Sequence, residues 1–265
     1  MSQGRKAAVL GSPIAHSKSP QLHLAAYRAL GLRDWTYERI ECSAEQLPSV
    51  VSGLGAEWVG VSVTMPGKFA ALRFADERTE RAQLVGSANT LLHTEHRWRA
   101  DNTDVDGVTG ALGSVRGDLV VLGAGGTARA AVVAAAGLGA RSVTVVARDP
   151  ARAEPLLELA ATVGVDGRWR AFVDPDLAGA VAAAGAVVST IPADAAAGHI
   201  AALREAPVLL DAIYDPWPTP VAAAVSEAGG RVIDGLQMLL HQAFAQVEQF
   251  TGRPAPKEAM AAALR

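Results

Sequence analysis

The sequence predicts an α/β protein in two domains, and three observations carry the prediction. Residues 118–148 read as a complete βαβ unit. In it an apolar run, Leu119–Leu122, stops abruptly at a cluster of glycines, a helix follows over 127–137, and Ser142–Val146 is a second, β-branched strand. Strand-like and helix-like stretches alternate on both sides of this unit, as in parallel sheets covered by helices. Finally, 265 residues suffice for two ordinary domains, each with its own core. The expected division is 1–104, 105–236, and a C-terminal segment, 237–265, whose helices return to the first domain.

Gly123, Gly125 and Ala128 fit the pattern G-x-G-x-x-G/A. Its first position needs a tight turn, its second needs no side chain so that a pyrophosphate can approach the backbone, and its third needs a small residue for helix–strand contact. The free N–H groups of the helix that follows face such phosphates. The unit therefore points to a bound dinucleotide.

Composition narrows the partners. With 24 basic and 27 acidic residues the net charge is −3, which gives no electrostatic footprint for nucleic acid or an anionic membrane. A small-molecule partner is expected, and the oligomeric state, a homodimer included, stays open. Cys42 is the only cysteine, which excludes a disulfide framework and a thiolate metal cluster and fits a reducing, cytoplasmic compartment. The N-terminal residues lack the apolar core of a signal peptide. The longest charge-free run of small or apolar residues, 177–188, falls short of the roughly 18 that suggest a membrane span.

Taken in order, residues 6–10 read as a strand leading into GSPIAHSKSP, whose glycine, prolines and serines demand a loop. Ser19 is read as an N-cap with Pro20 at the first helical position, and Gly31 ends that helix. Ser17 and Ser19 thus stand beside a helix N-terminus, where an anionic group such as a carboxylate is stabilised, and His16 is read as a loop packing residue. A strand over 35–40, a helix over 45–53 and a strand over 58–63 follow. The third strand runs into Thr64-Met65-Pro66-Gly67-Lys68 and a helix over 68–75. Ligands collect at the carboxyl ends of strands, so Thr64 and Lys68 are presented where a substrate would sit. The helix dipole does not ask for a cation at Lys68.

Residues 76–84 are expected to continue helical, with DERTER as a solvated face. Residues 87–92 and 98–100 pair as strands, and His93 and His96, despite their HxxH spacing, read as part of the polar turn between them rather than as metal ligands. Asp101-Asn102-Thr103-Asp104 lies at the junction of the two domains, a preferred place for a cleft, and a helix over 105–112 follows. Beyond the βαβ unit the expected elements are helices over 154–162 and 177–184 and strands over 169–172, 186–189 and 208–212. A rigid proline loop over 214–220, a short strand over 231–233, a long helix from Gly235 to about Phe250 and a last helix from Lys257 complete the chain.

Read together, these loops resemble one family, the shikimate dehydrogenases, which reduce 3-dehydroshikimate with NADPH. The resemblance rests on Ser17-Lys18-Ser19-Pro20, on Val63-Thr64-Met65-Pro66-Gly67-Lys68, on Gly86-Ser87-Ala88-Asn89-Thr90 and on Asp101-Asn102-Thr103-Asp104. It continues through Gly123-Ala124-Gly125-Gly126-Thr127, Asp211-Ala212-Ile213-Tyr214 with Thr219-Pro220, and Gln237-Met238-Leu239 with Gln242-Ala243. It implies a substrate-binding α/β domain followed by a Rossmann-type NADP-binding domain. It further implies that Ser17 and Ser19 hold the substrate carboxylate and that Thr64, Asn89, Tyr214 and Gln242 contact the ring hydroxyls or carboxylate. Lys68 and Asp104 would form the catalytic pair, the ammonium passing a proton to and from the C3 oxygen and the carboxylate keeping it in place.

For the cofactor, the resemblance assigns Gly123, Ala124, Gly125, Gly126 and Thr127 to the phosphates, the main chain at Ala212 and Gly235 to the nicotinamide, and a contact to Glu80. The end of the second strand decides between NAD and NADP. An acidic residue there reads the NAD ribose, whereas this chain has Arg148 with Arg152 four residues on, a pair suited to a 2′-phosphate. Asp149, followed by proline, is read as a helix cap. The family's N-R-T reads Ala147-Arg148-Asp149 here, so the asparagine and threonine contacts are missing. Two alternatives stand beside this reading: an NAD-preferring quinate or shikimate dehydrogenase, and a non-catalytic sensor of shikimate or nucleotide. Lys68 and Asp104 argue against the sensor, which needs no proton donor.

Overall fold

The computed structural model describes residues 4–95 and 97–265. In chain order the elements are β1 (Lys6–Gly11), α1 (Ser19–Ala29), β2 (Thr36–Glu41), α2 (Leu47–Ser52), β3 (Trp58–Val63), α3 (Lys68–Phe74), β4 (Glu77–Arg78), α4 (Glu80–Val85), β5 (Thr90–Thr94) and β6 (Arg97–Asp101). There follow α5 (Asp104–Leu112), β7 (Leu119–Leu122), α6 (Gly126–Gly137), β8 (Ser142–Val146), α7 (Pro150–Thr162), β9 (Asp166–Arg170), α8 (Leu177–Ala183) and β10 (Ala186–Ser189). The last are α9 (Ala193–Ala197), α10 (Ile200–Leu203), β11 (Val208–Asp211), α11 (Pro220–Glu227), β12 (Arg231–Ile233), α12 (Gly235–Thr251) and α13 (Lys257–Ala262). The chain divides into two compact units, Met1–Thr103 with Leu239–Arg265, and Asp104–Met238. The C-terminal helices thus belong to the first unit.

In the first unit the strand order is β2-β1-β3-β5-β6-β4. Strand β1 lies parallel to β2 and β3, whereas β5 runs antiparallel to both β3 and β6. Both faces are covered, which explains why β1 is apolar without alternation. Ala8 and Leu10 point into a core with Leu47, Val51, Ala70 and Ala82, while Ala7 and Val9 point into one with Leu22, Tyr27, Leu240, Val247 and Met260. The second core is closed by the C-terminal helices.

In the second unit all six strands are parallel, in the order β9-β8-β7-β10-β11-β12. Strands β7 and β10 are buried at every residue. The order reverses between them, and this switch point is where open α/β sheets bind ligands.

Several local expectations change. The single helix over 76–84 is instead β4 followed by α4, because Thr79 takes an extended conformation and caps α4, its hydroxyl accepting the Ala82 N–H at 3.1 Å. The charges of DERTER hide that cap. At α1 the N-cap is Lys18, whose side chain makes no cap bond, and Ser19 is already helical rather than the cap; Ser17 Oγ, one residue before the N-cap, accepts the Ser19 N–H at 3.3 Å. Strand β9 starts three residues before its expected position, 193–203 holds two short helices, and the proline loop ends at Thr219, which caps α11. Asp149 caps α7 as expected, accepting the Ala151 N–H at 2.9 Å. Among the described residues no helix is long and apolar enough to cross a membrane.

Candidate active site

The pairing directions of the first sheet gather its candidate residues at one end. The carboxyl ends of the parallel strands β1 and β3 lead to Ser17 and Ser19 and to Thr64 and Lys68. Because β5 is antiparallel to β3, its beginning at Asn89 lies at that same end, and the Val63 N–H donates to the Asn89 carbonyl at 2.7 Å. Strand β6 reverses again, so Asn102 and Thr103 arrive there too, with Asp104 following directly as the first residue of the second unit. The Ala88 N–H donates to the Lys68 carbonyl at 2.9 Å, tying the loop before β5 to the start of α3. Lys68 is half-buried and Asp104 buried.

Buried amides and hydroxyls line this end of the sheet. Asn89 Oδ1 accepts the Thr103 N–H at 2.8 Å, and Asn89 Nδ2 donates to Thr103 Oγ1 at 2.9 Å and to Gln242 Oε1 at 3.2 Å. Gln242 reaches it from α12, steadied by donation from Nε2 to the Leu239 carbonyl at 2.9 Å. One turn further on, Gln246 Nε2 donates to the Asn89 carbonyl at 3.1 Å and to Thr90 Oγ1 at 2.9 Å. Its Oε1 accepts from Ser62 at 2.7 Å and lies 3.4 Å from His23 Nε2. Buried polar groups are costly unless paired, and here they are paired with one another.

Sequence reasoning passed over Tyr37, Ser62, Thr90 and Gln246. The available signal was a glutamine pair at i, i+4 on α12, and a serine in the otherwise apolar β3. His23 is fully buried and stacked on Tyr37 with ring centroids 4.0 Å apart, and burial lowers its pKa to about 3 against a weaker opposing bond to Gln246.

Edge strand β2 fixes the serine loop. Arg39 donates to the Ser17 carbonyl from Nε at 2.9 Å and Nη2 at 2.6 Å, while Glu41 accepts from Ser12 Oγ at 2.6 Å and the Ile14 N–H at 3.1 Å. His16 in this loop is exposed. Asp101 opens the polar turn but serves as a clasp, bonded by Arg81, by Thr79 Oγ1 at 2.7 Å and by Gln249 Nε2 at 2.7 Å. Burial, the largest single influence, would raise its carboxyl, but the Arg81 guanidinium together with hydrogen bonds from Thr79 and the Asn102 backbone outweighs it and holds the carboxyl below the usual carboxylate range. His93 stacks on Trp98 with centroids 4.4 Å apart and contacts the Trp58 carbonyl at 3.0 Å. His96 lies outside the described residues, and among those described no cluster could hold a metal.

In the second unit, Gly123 closes β7 at φ +109°, and a Cβ there would come within 2.6 Å of Thr190 Oγ1. Only glycine fits that turn. Gly125, the N-cap of α6, is different: a Cβ would meet nothing within 4 Å, and no side chain caps the helix. Gly125 therefore leaves open space beside the N-terminus of α6, the kind of position at which a helix start can meet a phosphate. Ala128 is fully buried, as the third position of the pattern requires. Arg148 and Arg152 are exposed, one after β8 and the other in the first turn of α7. The Trp169 indole donates to the Ala147 carbonyl at 3.1 Å beside Arg148. Gly235 packs on the Ala212 carbonyl so closely that a side chain would collide with it. Tyr214 is half-buried in the loop after β11, and Glu80 is exposed at the start of α4 in the first unit, apart in sequence from the other cofactor candidates.

The reversing parallel sheet with its glycine turn defines the class: a dinucleotide-dependent oxidoreductase with a separate unit carrying a polar, buried side-chain site. The model of the shikimate dehydrogenase substrate binding domain matches residues 9–91, and that of the shikimate 5'-dehydrogenase C-terminal domain matches 235–265. A Microcystis aeruginosa shikimate dehydrogenase (NADP(+)) is 35% identical, covering 97% of this chain and 94% of its own length. The solved Mycobacterium tuberculosis shikimate dehydrogenase is 71% identical, with TM-score 0.95 over 98% of this chain and 99% of its own. A Thermus thermophilus shikimate 5-dehydrogenase solved with NADP(H) and shikimate is 31% identical, with TM-score 0.82 over 98% of each chain. The chain belongs to the shikimate dehydrogenase family.

Proposed function

We propose that the chain reduces 3-dehydroshikimate to shikimate, reversibly and with NADPH, as an NADP-dependent shikimate dehydrogenase of aromatic amino acid biosynthesis in the cytoplasm. The observation that carries this reading is the set of amides and hydroxyls buried at one end of the first sheet, since a ring bearing several hydroxyls needs many fixed polar partners. Residues 1–104 take the substrate, 105–236 the cofactor, and 237–265 complete the substrate domain.

Ser17 and Ser19 hold the carboxylate, and Thr64, Asn89, Tyr214 and Gln242 orient the ring. Gly123, Ala124, Gly125, Gly126 and Thr127 receive the pyrophosphate, Arg148 and Arg152 the 2′-phosphate, and Ala212 and Gly235 flank the nicotinamide, with Glu80 as a further contact. When bound, NADPH supplies the hydride. The Lys68 ammonium stabilises the charge that develops on the C3 oxygen and gives that oxygen its proton, and in oxidation it takes the proton back. Asp104 keeps the ammonium in place by charge pairing.

Mixing purified protein with shikimate and NADP⁺, and separately with quinate or NAD⁺, tests this through reduced-nicotinamide absorbance. The largest kcat/KM is expected for shikimate with NADP⁺. A tenfold preference for NAD⁺ overturns the cofactor assignment, and a preference for quinate overturns the substrate.

A further inference from the structure

Asp211 ends β11, is 1% exposed, and has neither substrate nor cofactor assigned to it. A buried carboxylate is costly unless its oxygens are bonded, and both of these are. Oδ1 accepts the Ile213 N–H at 3.1 Å, and Oδ2 accepts the Thr219 hydroxyl at 2.7 Å. Burial pushes the Asp211 carboxyl up, against these two bonds. Thr219 is itself buried and accepts the Ala222 N–H at 3.1 Å as the cap of α11. One side chain therefore ties the end of β11 to the cap of α11 and pins together the two ends of the loop 212–218, whose own residues are half-buried or exposed. The start of that loop is held from a second side. The Ala212 N–H donates to the Ser189 carbonyl at 2.9 Å, the Gly235 N–H donates to the Ile213 carbonyl at 3.3 Å, and Gly235 lies against the Ala212 carbonyl with no room for a side chain. Ala212, Gly235 and Tyr214, given above to the nicotinamide and the substrate ring, thus all stand on or against the turn that Asp211 closes.

We infer that Asp211 is a positioning residue for hydride transfer: through Ile213 and Thr219 it holds the loop that sets the Ala212 main chain against the nicotinamide and Tyr214 toward the substrate ring. It acts through the loop and not by contact with either ligand. This deepens the proposed function and rests on it. The other end of the cofactor is assigned elsewhere, to the turn after β7 and to Arg148 and Arg152 after β8, so the two ends can be read separately.

Asp211→Ala removes both bonds but leaves Thr219 to cap α11, whereas Thr219→Val removes the hydroxyl and Thr219→Ser keeps it. With thermal midpoints confirming folded proteins, kcat/KM for shikimate is expected to fall at least about tenfold in Asp211→Ala and Thr219→Val, since small displacements of reacting groups cost that much. Thr219→Ser is expected to stay close to wild type. Affinity for adenosine 2′,5′-bisphosphate, which carries no nicotinamide, should remain within about twofold of wild type in all three, because its contacts follow β7 and β8. Wild-type turnover in folded Asp211→Ala overturns the inference. So does a loss of bisphosphate affinity equal to the loss of turnover, which makes the role one of general stability. If Asp211→Ala does not fold, the contrast between Thr219→Val and Thr219→Ser decides, and equal impairment of the two overturns the inference. Wild-type protein inactive on shikimate overturns the proposed function instead, so the two failures are told apart.

Discussion

The two sheets solve recognition in opposite ways. In the all-parallel sheet the candidate site is built from backbone and from empty space: Gly123 is closed off by Thr190, whereas Gly125 faces open space in front of a helix N-terminus. In the mixed sheet the candidate site is built from side chains that hold one another, Asn89, Thr103 and Gln242 at the surface of a buried network running back to Gln246. A ligand with a constant diphosphate can be met by constant peptide groups, but a particular ring needs particular side chains.

The sharpest way to test this contrast is to change one residue on each side. Lys68→Ala is expected to lower kcat by about 10²-fold or more, the range of general acid–base catalysis, while shikimate still binds by equilibrium titration; near-normal turnover removes Lys68 from the mechanism. Gly125→Val fills the space that the peptide site leaves open. Its thermal midpoint without cofactor should stay close to wild type, while NADP⁺ affinity falls at least tenfold, and a variant that binds NADP⁺ normally places the phosphates elsewhere. Arg148→Ala should raise KM for NADP⁺ about tenfold, the worth of a charge-assisted bond, with little change for NAD⁺; equal changes for both deny it the 2′-phosphate.

The smallest effect concerns stability. His23 has a folded pKa of about 3, below its value of about 6.5 when unfolded. Its neutral form is favoured by folding, so its contribution is full above pH 6.5 and is lost as pH falls from there toward 3. Denaturant midpoints of wild type should therefore drop over that window more steeply than those of His23→Asn; parallel curves assign the acid sensitivity to other groups.

The contrast also explains what the sequence made legible. Apart from the exposed edge strand β9, whose DGRWR carries no apolar run, the second sheet could be read strand by strand, because a strand buried on both faces is a short apolar run and a phosphate turn must be glycine. In the first unit, residues 76–84 defeated the reading because the charges of DERTER look like one solvated helix, while a single threonine hydroxyl splits it. Tyr37 left no pattern, and the serine in apolar β3 and the glutamine pair on α12 marked Ser62 and Gln246 without naming a role, since the partners of all three lie on other elements. The hydrogen bond between Ser62 and Gln246 joins residues 184 apart, a distance no local spacing reports. The loop residues of the site were found only as a set in order, through the family they resemble.

The second unit is one continuous stretch of chain, but the first is not. Its core joins Ala7, Val9 and Leu22 to Val247 and Met260, and His23 meets Gln246 across 223 positions. A chain synthesised from its N-terminus can complete the parallel sheet while the first unit still lacks one wall of its core. Strands β1 and β3 must wait with an apolar face uncovered until the last helices emerge, and the same event delivers Gln242 and Gln246. Assembly of the substrate site and completion of that core are then one step. A chain truncated before α12 would lose the site and the stability of the unit together, while keeping the parallel sheet.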